Sequence, residues 1–192
     1  MNYKQSLIPL FPPTLSTAFN QTTVNMASGI FTDHRKFLLL TPLVTSTGTL
    51  MYAGCEALFY SAFTHPPIRP QSNALLPRWF QRVFDRNIYL LVGLNMVTIS
   101  TATAVLILPS VKDLIVSKGS KNLFLSGLIG TCAHFVFAPT MLGIIDSITS
   151  DKKGNCTEDM GRWLRVHYVR MVVADLPAWI SYAGAVLATI TL

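Results

Sequence analysis

Four long apolar runs, each bounded by charge or by helix breakers, decide what this chain can fold into. They cover residues 37–63, 88–108, 122–145 and 166–192. An α-helix rises 1.5 Å per residue, so about 20 apolar residues cross the hydrocarbon core of a bilayer. No water reaches that core, and a helix satisfies its backbone N–H and C=O groups within the segment. The borders carry Arg35-Lys36, His65-Pro66-Pro67, Arg86, Pro109, Lys121, Asp146 and Arg165. The prediction is an all-α, integral membrane four-helix bundle with modest connections.

Composition agrees. Only 12% of the 192 residues are charged, against about 25% in a soluble domain. The net charge of +6 sits in the gaps between runs, where it faces headgroups, so no nucleic-acid partner is expected. Cys55, Cys132 and Cys156 are far apart and form no C-x-x-C pair, which argues against a disulfide framework, a structural zinc or a redox dithiol. Residues 1–36 read as a loosely ordered or interfacial extension. Its uncharged part holds Pro12-Pro13, Asn20, Gln21 and Asn25, too many breakers and amides for a fifth span. No secretory signal peptide is expected, because Lys4 is followed by no compact apolar segment.

Orientation stays open. One membrane face collects six lysines and arginines and the other eight, a margin too small to apply the positive-inside rule. Two N-x-T sequons, at Asn20 and Asn155, fall on opposite faces, so occupancy of one would fix the topology. The first loop, 65–86, contains four prolines and the stretch Arg78-Trp79-Phe80-Gln81-Arg82. That stretch reads either as an interfacial anchor or as the entry rim for an aromatic substrate.

Polar residues at membrane depth are expensive, and they mark the candidate site. Trp163, His167 and Arg170 share one helical face within a sector of about 60°, at the opening of the fourth run. Glu56 lies inside the first run with Tyr52 and Tyr60 one turn to either side. His134 precedes Pro139, whose missing N–H frees a carbonyl, kinks the helix and opens space. Asp175 stands about 140° around the helix from Arg170; its partner is expected on another helix, with His134 one choice. Pro177 adds a second kink. Asn95, Thr98 and Ser100 read as hydrogen-bonding glue between helices. No metal is indicated, because H-x-x-x-H and E-x-x-H spacings are absent. Nucleotide cofactors lack both a P-loop and a G-x-G-x-x-G.

The chain resembles the small four-span membrane proteins grouped with the anthrone oxygenases of fungal polyketide pathways. The likeness runs from about Phe37 to the end. It is carried by Thr64-His65-Pro66-Pro67, the stretch from Trp79 to Asn87, Ala138-Pro139-Thr140, and above all the W-x-x-x-H-x-x-R of Trp163, His167 and Arg170. Glu56 matches no family position. The resemblance implies a secondary-metabolite monooxygenase that oxidises a phenolic anthrone to the anthraquinone with O₂ and no cofactor. Its partners are then a small apolar aromatic substrate, O₂ and the lipid bilayer; the protein is expected to be multi-pass, with the endoplasmic reticulum one candidate membrane. The catalytic pair is His167, as general base on the acidic ring CH₂, and Arg170, which stabilises the enolate. Trp163 stacks on the substrate; His134, Glu56 and Asp175 are added to the binding site on their polarity at membrane depth, not through the resemblance. The competing class is a non-enzymatic transporter subunit or assembly factor, in which the same polar residues pair across helices and hold the bundle together.

Overall fold

The computed structural model describes residues 33–190; the uncharged N-terminal stretch and both ends of the chain beyond these bounds lie outside it. The fold is all-α. Helix α1 spans His34–Ala62, and a short 3₁₀ turn, Pro66–Ile68, leads into α2, Arg69–Ile107. Helix α3, Pro109–Ser117, is short. Helix α4, Lys121–His134, passes through a 3₁₀ turn at Phe135–Phe137 into α5, Ala138–Ser150. Helix α6, Cys156–Arg170, passes through a π turn at Met171–Asp175 into α7, Leu176–Ile190. Four of the resulting rods are long and apolar enough to cross a membrane: His34–Ala62, Pro66–Ile107, Lys121–Ser150 and Cys156–Ile190. The compact unit that carries the site begins at Leu38.

Two of the four rods start more than a helical turn ahead of the apolar runs that announced them. The expected first loop is largely helix, because Pro70 falls in the first turn of α2, where a missing N–H removes no intrahelical bond. Pro77 is accommodated inside the same helix. The fourth rod begins at Cys156, ten residues ahead of the run, in a polar first turn with Glu158 and Asp159 near the positive end of the helix dipole. Trp163, His167 and Arg170 consequently lie two to four turns into the rod rather than at its entrance.

Packing separates the bundle into three levels. One apolar cluster joins Leu39, Ala102, Val105, Phe124, Tyr182 and Val186. A second, towards the other end, joins Tyr60, Leu76, Phe80, Met141, Met160 and Trp163. Between them lies a belt of buried polar side chains that includes Asn95, Thr98, Thr131, His134, His167, Arg170 and Asp175. Small residues bring α4 and α7 close, as is usual between membrane helices. A Cβ on Gly130 would stand 2.9 Å from that of Ala178, and one on Gly127 2.5 Å from the Tyr182 ring. Hydroxyls tie the helices across this packing: Thr45 meets Thr98 at 2.7 Å, Ser120 meets Thr189 at 2.8 Å, and Thr131 meets Tyr182 at 3.1 Å. Of the three residues read as interhelical glue, Thr98 plays that part. Asn95 instead donates to Leu91 of its own helix, and Ser100 is exposed.

Candidate active site

Both breaks in helical geometry occur where the polar belt needs them. Pro139 sits in the first turn of α5, and the chain tightens to a 3₁₀ turn just before it, directly after His134. Pro177 likewise follows the π turn. A π turn has i→i+5 hydrogen bonds and more residues per turn than an α-helix. It therefore corrects the reading of Arg170 and Asp175 as facing apart. Five residues of wide turn bring Asp175 back under Arg170, with Arg170 Nε 3.4 Å from Asp175 Oδ2. This is an ion-pair contact without hydrogen-bond alignment.

The other carboxylate oxygen reaches across to the third rod. His134 Nδ1 and Asp175 Oδ1 are 2.7 Å apart, both side chains being buried. A carboxylate only accepts, so Nδ1 carries the proton and the lone pair of the neutral ring is on Nε2. That is the tautomer a general base needs, held by the carboxylate behind it.

His167 is placed differently. Its Nδ1 lies 3.1 Å from Arg170 Nη2, and a guanidinium can only donate, so Nδ1 accepts. Its Nε2 then donates to the Ala53 carbonyl of α1 at 2.9 Å. The ring stacks on Trp163 with centroids 4.4 Å apart and planes at 19°. His167 is fully buried, both nitrogens are engaged, and the residue is absent from the cavity wall described next. Its geometry is that of a clamp on Arg170.

A cavity of about 330 Å³ opens beside this network. Its polar wall groups include Glu56, Asn87, Asn95, His134 and Arg170, and Trp163, Tyr60, Phe80 and Phe84 supply rings. Glu56 is half-buried. Asp175 stands behind the wall, its two oxygens turned to His134 and Arg170. Of the six residues singled out from the sequence, Glu56, His134, Arg170 and Trp163 thus line one space, while Asp175 and His167 support it. Asn87 and Phe84 were missed. They belong to a stripe on α2, Phe80, Phe84, Asn87, Leu91 and Asn95, whose spacing of three and four residues is legible once the helix is extended back to Arg69. Among the described residues no group of three His, Cys, Asp or Glu side chains is arranged to hold a metal ion. The wall presents donors to a developing negative charge, an imidazole to a proton, and apolar surface to everything else.

No family model matches the chain, and no solved structure matches it. Relatives do. The probable epoxidase scpX of Mollisia scopiformis is 32% identical over 153 residues, covering 79% of this chain and 95% of that protein. The epoxidase pydX of Acremonium sp is 33% identical over 153 residues, covering 79% and 93%. Oxaleimides biosynthesis cluster protein N of Penicillium oxalicum is 26% identical over 159 residues, covering 79% and 89%.

Proposed function

The chain belongs to the same family as these fungal epoxidases, and on that premise we propose that it is a membrane-embedded oxygenase that epoxidises a conjugated, apolar secondary-metabolite intermediate with O₂. Family membership supports the coarser part, an oxidative enzyme of secondary metabolism. The observation that carries the rest is the Asp175–His134 pair opening, beside Arg170, onto a largely apolar cavity between membrane-length helices.

The chemistry balances without an external reductant. His134 Nε2 takes a proton from an acidic carbon of an enol- or phenol-type substrate, and Arg170 stabilises the resulting anion in a low-dielectric pocket. The anion gives an electron pair to O₂, forming a C–O bond, and protonation yields a hydroperoxide. Loss of a second proton, to Glu56, from the neighbouring carbon lets that carbon attack the proximal oxygen. The O–O bond breaks and the distal oxygen leaves as hydroxide, which is protonated to water. Substrate loses two hydrogens and gains one oxygen; O₂ ends as epoxide and water. Elimination of water from the same hydroperoxide at a single carbon gives a ketone, which is the anthrone-to-anthraquinone outcome that the sequence resemblance implies. The epoxide is preferred because it is the product that the relatives' names specify. In this scheme His167 is a positioning residue for Arg170, and the base expected at His167 moves to His134.

The substrate and O₂ both partition into lipid, which suits a site at this depth; the expected setting is the endoplasmic reticulum. Deleting the gene in its host tests the proposal. The expected result is loss of a product and accumulation of a compound one oxygen poorer and two hydrogens richer, restored by the wild-type gene. An unchanged set of metabolites, or the finished product trapped inside the cell as a transport defect would leave it, overturns the proposal.

A further inference from the structure

A second cavity of about 540 Å³ lies on the other side of Glu56, between α1 and α2. It shares Glu56, Tyr60 and Asn87 with the inner one. Its remaining wall is apolar and aromatic, with Phe59, Phe63, Trp79 and Val83 prominent. Phe59 and its neighbours Leu58 and Met51 are well exposed on a helix of membrane-crossing length, so this side of α1 faces lipid. Trp79, from the basic-aromatic stretch, packs edge-on against Tyr60 at 5.9 Å and, tilted by 43°, against Phe63 at 4.9 Å. One rim ring is thereby braced on a residue that borders both spaces.

We propose that the two cavities form one substrate channel: the reacting end of the substrate occupies the inner cavity, and an apolar extension of the same molecule lies in the outer one, with Glu56, Tyr60 and Asn87 as the neck. This rests on the oxygenase reading above. Size supports the assignment, since 330 Å³ is at the floor of the roughly 300–1,000 Å³ that drug-sized ligands occupy. Anything longer than a compact ring system has to extend past the neck. Chemistry supports it too. Glu56, at the boundary of the inner cavity, stays within reach of the reacting end, the Asn87 amide offers hydrogen bonds to a polar group just beyond it, and the flanking rings take up hydrocarbon. Glu56, which matches no family position, then sits where the substrate must pass. A bilayer acyl chain is the competing occupant of the outer chamber.

The test uses the full chain in microsomal membranes with an alkylanthracene bearing a diazirine on its chain. After irradiation, peptide mapping should find label on the α1 segment around Tyr52, Cys55 and Phe59. Excess unmodified alkylanthracene should suppress that label about tenfold, as expected for a saturable site. Cys55, exposed and on the outer wall, gives the blocking variant: Cys55→Trp should abolish the competable label, and Cys55→Ala should retain it. Label that persists under competition is lipid-phase labelling, or an acyl-chain groove, and overturns the channel. So does competable label that survives in a folded Cys55→Trp protein. Labelling needs no turnover, so the two readings fail separately. Turnover is read separately, on the compound that accumulates when the gene is deleted: competable label without oxygenation of that compound condemns the oxygenase and keeps the channel, and its oxygenation with non-competable label does the reverse.

Discussion

Asp175→Asn is the perturbation most directly tied to the geometry. The side chain keeps its volume but loses the charge that faces Arg170 at 3.4 Å, with both groups about 5% exposed. At an effective dielectric of about 20 that attraction is about 5 kcal/mol. Removing one partner of a buried pair leaves an uncompensated charge and costs about 3–5 kcal/mol. For a chain of this length each kcal/mol moves the melting midpoint by roughly 2–4 °C, so the expected drop is about 6–20 °C. The assay is the monodisperse fraction of detergent-solubilised protein after heating, read by size exclusion. Adding Arg170→Met removes the stranded charge, and the double variant should be about 3 kcal/mol more stable than the sum of the two singles. A midpoint for Asp175→Asn within about 2 °C of wild type, or strictly additive singles, would refute the claim that this pair is a coupled buried unit. The expected loss of activity is larger than the loss of fold, because an amide can also donate to Nδ1 of His134 and so select the wrong tautomer, an effect on the order of 10²–10⁴ in rate.

Other substitutions separate chemistry from packing. His134→Gln should leave the protein folded, since glutamine can still hydrogen-bond Asp175, while product formation in membranes falls by about 10²–10⁴. Arg170→Lys keeps the charge but loses the fork that meets His167 through Nη2 and Asp175 through Nε, and turnover should fall about 10²-fold at constant expression. Phenylalanine at His167 preserves a ring against Trp163 but removes the second bond to the Ala53 carbonyl, which keeps its helical partner, and strands an Arg170 N–H, so thermal stability should drop by about 1–3 kcal/mol along with turnover. Gly127→Ala, far from the cavity, forces a methyl to within 2.5 Å of the fully buried Tyr182 ring; the expected result is a stability loss of about 1–3 kcal/mol, read by the same heating assay, with turnover per folded molecule unchanged.

The bundle was readable because bilayer thickness imposes a length on apolar segments, and four such segments are plain in the chain. What hid part of the site was the same signal used too strictly. Hydropathy marks where a helix meets hydrocarbon, not where it begins, so the amphipathic first turns of α2 and α6 looked like loop. With residues 69–87 set aside as loop, the Phe80–Phe84–Asn87 stripe had no helical face to lie on. Arg170 and Asp175 were separated for a related reason. A helical wheel assumes 100° per residue throughout, and no wheel marks a five-residue π turn, although Pro177 nearby signalled that some adjustment was due. His134, by contrast, was singled out by the proline beside it, and the 3₁₀ turn is where that proline placed it. The choice between His134 and His167 as base needed hydrogen-bond partners, which spacing does not supply: one ring is backed by a carboxylate, and the other is spent on a carbonyl and a guanidinium. A purely structural role for the belt predicts that every polar substitution acts through stability. The oxygenase account predicts that His134→Gln does not.

The most direct measurement gives the wild-type protein, in membranes, the compound that accumulates when the gene is deleted, under ¹⁸O₂. The account predicts a product carrying one ¹⁸O atom, formed without an added reductant, and no such product from folded His134→Gln protein. Oxygen taken from water instead, or equal incorporation by His134→Gln, would contradict it.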